Sequence, residues 1–355
     1  MNELVKKFDS WLEDAGPAAL VVREHLTPVE GHDGVFFPAT YASGDNFPGG
    51  YCIDEFADGK NICLIDSVGS QANRIEPVFA VAEYANLVPQ IVVKAGDQRV
   101  SLLEAGHRAG DAIVRCSALQ QQLRNAFTAV LKGDAVPLAK IAPTSLVFGA
   151  WDSRDTQAKL PRLIASTIRA FDVCKLTRSA QFVPAIEYVD QGLLEEPADK
   201  TAKDAYAQRG FVHVPASGSP GGVIATGGIR RDATLHLAAL RLLRAGDDEA
   251  STVVLRRYIL GLALTAFTFS PSGYLRQGCN LVLDPDKPRE FKEVHGDGRR
   301  ADATLTHTDA LDYALTAARA FGVGEDRLVD FDTELAKSDL SESKKPKKSQ
   351  GKRSR

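Results

Sequence analysis

Cysteine is scarce in this 355-residue chain: Cys52, Cys63, Cys116, Cys174 and Cys279 are odd in number, scattered, and never in a C-x-x-C pair. That pattern argues against a disulfide framework and against a cysteine-built zinc site, and predicts a reducing, cytoplasmic setting. Long apolar runs are lacking as well. The longest, YILGLALTAFTF at residues 258–269, falls short of the ~20 residues that cross a bilayer, so it predicts a buried helix and no membrane partner. The opening MNELVKKFDSWLEDAGPAAL is charged and amphipathic, without the continuous apolar stretch of a secretory signal.

Catalytic motifs are also missing. The sequence has no G-x-x-x-x-G-K-[ST], no G-x-S-x-G and no H-E-x-x-H. Its single G-x-G-x-x-A, GDGRRA at residues 296–301, sits in a polar loop without the preceding strand a dinucleotide site needs. The histidines are dispersed, and the close acidic pair Asp284 and Asp286 in LDPDKP reads as a proline turn with a solvated face. Metal-assisted hydrolysis wants convergent acids and histidines. The expectation is therefore a binding protein, not an enzyme, without metal or cofactor.

What is present is an ordinary globular composition, 44% hydrophobic and 25% charged, long enough for one elaborated domain or two average ones. Charge is unevenly spread. The terminal KKPKKSQGKRSR carries seven Lys or Arg and no acid, leaving a body with a net charge of −10. Such a body is no generic polyanion binder; nucleic acid would need a local basic groove. The tail is expected to be disordered.

Hydrophobic periodicity and punctuation predict mixed elements. Helices are expected at residues 2–14, in SQANRIEPVFAVAEYA with Ser67 or Ser70 as N-cap, at 107–116, 118–131 and 157–171, and at 233–244 with Asp232 as N-cap. Strands are expected in AALVVREHL, KNICLID, QIVVKA, RVSLLE, TSLVFGAW and CKLTRSAQFVP. The stretch FVHVPASGSPGGVIATGGIRRDATLHL reads as strand, glycine-rich turn and strand, a projecting hairpin. Residues 190–209 are weakly patterned and read as an insertion.

Five polar clusters stand at element edges: DSVGSQANRIE, WDSRDT, LTRSAQF, GGIRRDAT and GYLRQGCN. Arg, Gln, Asn and Ser hydrogen-bond phosphates, sugars and base edges, and neighbouring glycines permit close backbone approach. Structural readings stand beside these: Ser67 and Ser70 as caps, Arg162 and Arg169 as the wet face of a helix, Arg230 or Arg231 paired with Asp232. The RNA-binding candidates are Ser70, Gln71, Asn73, Arg74, Arg154, Arg178, His213, Gly221, Gly222, Arg230, Arg231, Arg276 and Gln277.

With HRAGDAIV, WDSRDTQAKLPRLIASTIRAFDV, GFVHVPASGSPGGVIATGGIRRDATLHLAALRLL and RRYILGLALTAFTFSPSGYLRQGCNLV, these clusters resemble, in order from about residue 20 to residue 285, the repeat-associated mysterious protein superfamily, in the form of the backbone subunit of the type I-G (formerly I-U) CRISPR Cascade complex. The resemblance implies an α+β fold: an RRM-like (ferredoxin-like) core with large insertions forming palm, fingers and thumb. It implies one elaborated domain over residues 1–335, with an insertion at 186–210, a thumb-like hairpin at 211–230 and a basic tail at 336–355. It further implies guide RNA (crRNA), target DNA reached through the guide, other copies of the chain and other Cascade subunits as partners in antiviral defence, with sequence specificity supplied by base pairing. Two alternatives stay open. One is an RNA-cleaving subunit of the type III kind using Asp66 or Asp172; the other is an enzyme using the glycine loop as a phosphate cradle.

Overall fold

The computed structural model describes residues 8–270 and 273–342. Eleven strands organise the region of interest: β1 (Ala19–Pro28), β2 (Ile53–Glu55), β3 (Asn61–Asp66), β4 (Ile164–Phe171), β5 (Val173–Phe182), β6 (Val214–Ala225), β7 (Ile229–His236), β8 (Tyr274–Arg276), β9 (Cys279–Leu283), β10 (Glu290–Val294) and β11 (Arg300–Asp302). The longer helices are α1 (Val68–Ile75), α2 (Gln120–Leu131), α3 (Lys200–Gln208), α4 (Glu249–Thr268), α5 (His307–Phe321) and α6 (Thr333–Glu342). The main sheet runs β8-β9-β1-β7-β4-β3-β2 with antiparallel neighbours, and β10 with β11 completes the free edge of β1. The chain is thus α+β, as expected. Within the sheet, β1, β4, β7 and β9 stand in the order fourth, first, third, second, with helices in the β1–β4 and β7–β9 connections, which is the order of a ferredoxin-like core.

Alternation along the strands decides which face is covered. On one face Leu20, Val22, Ile164, Ala233 and Leu235 pack under α1 and α4, while Cys63, Ile168, Ala170 and Ile229 pack against Phe36, Tyr51 and Val223. The opposite face carries Val21, Arg23 and His25 of β1, Arg230, Asp232 and Thr234 of β7, and Thr167 and Arg169 of β4. Helix α4 is long and apolar enough to cross a membrane, yet its apolar window is 67% buried inside the molecule, packed with α5 in the core.

Several expected elements differ. Residues 157–171 form not a helix but β4 from Ile164, because IASTIRAF alternates inward Ile164, Ser166, Ile168 and Ala170 with outward partners and is rich in β-branched residues. The same two-residue period makes Ile229–His236 a strand, so Asp232 caps no helix; it sits mid-strand between Arg23 and Arg230. Conversely, TSLVF is the short helix Thr144–Phe148, buried throughout, where an apolar run of that length reads equally as strand or helix. Helix α1 is capped by Ser67 and gives way at Pro77 to a 3₁₀ turn. Part of the expected tail, residues 336–342, belongs to α6; residues 343–355 lie outside the described residues, as do residues 1–7 of the expected N-terminal helix. Asp284 is no solvated turn residue: it is 4% exposed, accepts from Asp286 N at 3.1 Å and lies 3.5 Å from Lys287.

The projecting hairpin is built differently from the sequence expectation. Strand β6 is continuous across the glycine cluster and pairs with β5, so the segment at residues 183–213, including α3, lies at the far end. Two register shifts, between Ala216 and Ser219 and between Pro220 and Val223, absorb the glycines as bulges. A Cβ on Gly221 would stand 2.6 Å from the Thr177 carbonyl carbon. Gly222 has φ +96 and donates to Tyr51 Oη at 3.0 Å, and a Cβ there would stand 2.5 Å from Val35 Cγ1. Both glycines therefore serve internal packing. Gly222→Ala should destabilise the free protein by about 2 kcal/mol, the scale of a strained left-handed residue, read by urea unfolding; a neutral effect would show that the bulge relaxes.

Beneath α1 lies a buried ion pair, Arg108 Nε to Glu76 Oε2 at 2.5 Å, with both side chains at most 3% exposed. Arg108 also donates to Gly149 O and to Asn73 Oδ1, each at 3.3 Å. Burial pushes the Glu76 carboxyl up from 4.5 to about 7, against the pull of Arg108. A carboxyl with a raised folded pKa holds its proton more tightly in the native state, so its contribution to stability is lost as pH rises from 4.5 to about 7. Glu76→Gln should flatten that slope in chemical unfolding between those pH values, relative to the parent chain.

Candidate nucleic-acid interface

The β3–α1 corner holds a connected polar cluster on the covered face. Asp66 ends β3 and its side chain is 0% exposed. Its Oδ2 accepts from Gln71 Nε2 at 2.7 Å and from Arg74 Nε at 3.0 Å, while Oδ1 accepts from Arg276 Nη2 at 2.9 Å. Gln71 in turn accepts from Ser166 Oγ at 2.9 Å. Helical spacing places Gln71 and Arg74 three residues apart on one side of α1, and β8 delivers Arg276 from across the chain.

This geometry leaves cationic groups facing outward. The side chains of Arg74 and Arg276 are 33% and 25% exposed, and a single carboxylate offsets two guanidiniums. Arg276 Nη1 is buried without a hydrogen-bond partner among the described residues. The exposed parts of two planar guanidiniums, fixed by an internal carboxylate, suit a phosphodiester oxygen. At the other end of α1, Ser67 Oγ accepts from Ser70 N at 3.2 Å, and Arg162 Nη1 lies 4.0 Å from where a side chain on Gly69 would begin. Burial and the nearby Arg108 charge lower the Arg162 pKa from its ordinary value.

The corner offers little for chemistry. Asp66 has its lone pairs taken by three donors and no exposure. The adjoining thiols are pushed up by burial, Cys63 to about 12 and Cys279 to about 11, so both are protonated at neutral pH. Asp172 has φ +49 and its carboxylate accepts from Asn61 N at 3.4 Å.

The structure distributes the sequence candidates over several surfaces. Ser70, Gln71, Arg74 and Arg276 converge at the corner, although Gln71 is itself 2% exposed and braces Asp66. Asn73 is committed to Arg108, and Gln277 is exposed beside the corner. Arg178 lies over the Phe37 ring at 5.8 Å and His213 bonds Gln181 Oε1 at 3.1 Å, both on the β5–β6 hairpin. Arg154 is exposed in a separate cleft with Arg115, Arg124 and Asp339. Arg230 faces the open side of the sheet. Arg231, expected at a solvent-exposed helix start, is instead 6% exposed, its Nε 2.5 Å from Glu24 Oε2, because the strand period turns it inward. Sequence reasoning offers Asp66 only as a cleavage group and puts Arg162 and Arg169 on a helix face; nothing local in the sequence announces that Asp66 meets Arg276.

Arg74→Ala should cost about 1 kcal/mol of stability, since Gln71 and Arg276 still serve Asp66. Asp66→Ala should cost about 3 kcal/mol, because it leaves partly buried guanidiniums uncompensated. Urea midpoints compare the two; equal costs would mean that the carboxylate is not the organiser.

No relative is found among curated proteins. Residues 20–175 match the family described as CRISPR-associated protein GSU0053, a span from β1 through α1 and β4 into β5 that includes Asp66, Gln71 and Arg74, so that segment of the chain is similar to a CRISPR-associated protein family.

Proposed function

We propose that this protein is a backbone subunit of a type I-G CRISPR Cascade complex, which coats guide RNA in multiple copies and presents it for pairing with target DNA. The observation that carries the reading is the Asp66-braced pair Arg74 and Arg276, two fixed guanidiniums without enough carboxylate to neutralise them. The CRISPR-associated family match supports the setting. The ferredoxin-like strand order and the β5–β6 hairpin between β4 and β7 support an RRM-like palm with a thumb. Phosphates of the guide lie along α1 from Arg162 to Arg74 and Arg276, while Arg178 and His213 of the thumb approach from the side. Sequence is read by base pairing, which suits a site made of cations and backbone amides rather than base-shaped pockets. The subunit is cytoplasmic, non-catalytic, and joined by other Cascade subunits.

Expression with its genomic neighbours should yield RNA that survives gel filtration and sequences as repeat-flanked guides. Log affinity for that RNA should fall linearly with log salt, at about 0.7 per neutralised phosphate. Arg276→Ala should weaken binding by roughly 1–2 kcal/mol with the fold intact. RNA-free protein, or a flat salt response, would overturn the proposal.

A further inference from the structure

The uncovered face of the sheet has a charge arrangement that folding does not explain. Arg230 of β7 stands directly opposite Arg169 of β4, and on its other side directly opposite His25 of β1. Like charges opposite one another on a sheet are destabilising. Arg230 is offset by Asp232, 2.8 Å away. Arg169 has no such relief: it donates to Thr167 Oγ1 at 2.7 Å and, among the described residues, forms no ion pair. The carboxylates on this face are already engaged, Asp232 and Glu290 both by Arg23.

Apolar rings continue the cationic row. The Arg230 guanidinium lies 4.7 Å from the centre of the Phe171 ring, two residues beyond Arg169 on the same face. Beyond Phe171 opens a cavity of about 530 Å³ walled by Phe56, Ile62, Asp172 and the paired Asp58 and Lys60. Phe56 is 51% exposed, an unusual setting for a phenylalanine at the edge of a charged surface. A guanidinium over one ring, a second exposed ring lining the same cavity and, two residues along the strand, an arginine without an ion pair among the described residues form a platform for unpaired nucleotides.

We infer that this face is a second binding surface, separate from the Asp66 corner on the opposite side of the sheet, and that its ligand is a single-stranded nucleic acid. Arg169 and Arg230 hold the phosphodiester backbone, and Phe171 and Phe56 stack an unpaired base. Duplex nucleic acid is disfavoured because its bases are already stacked. DNA and RNA share the chemistry and are separated by the test.

The test uses the full-length chain carrying Arg74→Gln and Arg276→Gln, which remove both corner charges yet keep N–H donors for Asp66, and fluorescence anisotropy with labelled oligothymidine and oligouridine of about 15 nucleotides, the upper site size of a single-strand-binding fold. Binding should persist in that background. Adding Arg169→Ala should weaken it at least about 3-fold and make the salt slope shallower by about 0.7. Phe56→Leu, which keeps apolar bulk but removes the ring, should weaken it without changing the slope. Arg169→Ala should also raise the melting temperature of the free chain, because it removes the Arg169–Arg230 repulsion; a mere folding defect would lower it. Preference for one oligomer identifies the strand. The inference is overturned if Arg169→Ala and Phe56→Leu leave oligomer binding unchanged, or if polyglutamate displaces the oligomer as well as unlabelled oligomer does, which would assign the face to an acidic polypeptide. Should the corner play no part in guide binding, its two substitutions would leave RNA affinity intact while the Arg169 effect remained, so the two readings fail separately.

Discussion

A buried carboxylate costs several kcal/mol unless donors meet its oxygens, and the arrangement of this molecule turns on how that cost is offset for Asp66. Its side chain is 0% exposed and receives Gln71, Arg74 and Arg276, from a helix that follows it directly and from a strand at the far side of the sheet. In the same layer Glu24 receives Arg231 and Arg289. These polar residues lie between two apolar clusters, one under α4 and α1 and the other around Phe36 and Tyr51. A one-residue slip of β1 against β7 would put Glu24 opposite a different residue and leave Arg231 buried without its partner, so the charged layer fixes register as well as position.

Stability and exposed positive charge share this layer. The buried oxygens of Asp66 are met by Gln71, Arg74 and Arg276, and each arginine uses only part of its donor fork for that purpose. The two side chains stay 33% and 25% exposed, a preset cation pair. Arg231 illustrates the other outcome: turned inward by strand alternation, it is consumed by Glu24 and serves the core. Two arginines adjacent in sequence thus have opposite roles, decided by the two-residue period of β7.

The glycine-rich stretch follows the same logic. Five glycines between residues 218 and 228 look from sequence like the tip of a mobile loop. In the fold Gly221 and Gly222 let β6 pass against Val35, Phe36 and Thr177 where no side chain has room, and two register shifts interrupt its ladder with β5. A phosphate cradle would require these amides at a helix N-terminus, whereas they lie within a paired strand.

Local chemistry determined much by itself. The strand at AALVVREHL, the Ser67 cap, the buried helix at residues 258–269 and the polar character of DSVGSQANRIE follow from alternation, capping and apolar runs, which depend only on near neighbours. So does the mixture of α and β elements. What the tertiary structure alone decided are the identities that depend on distant partners: that residues 164–171 and 229–236 are central strands rather than helices, that Arg231 is interior and Arg230 exterior, and that Arg276 meets Asp66. Central strands gain their stability from burial and ladder pairing on both edges, a term larger than the capping power of Asp232; the helix-favouring LAAL that follows is a short helix at Leu237–Leu240. The convergence of cations on one buried carboxylate is likewise a property of the closed sheet, because no spacing along the chain encodes which residues a fold brings within about 3 Å, hydrogen-bond distance.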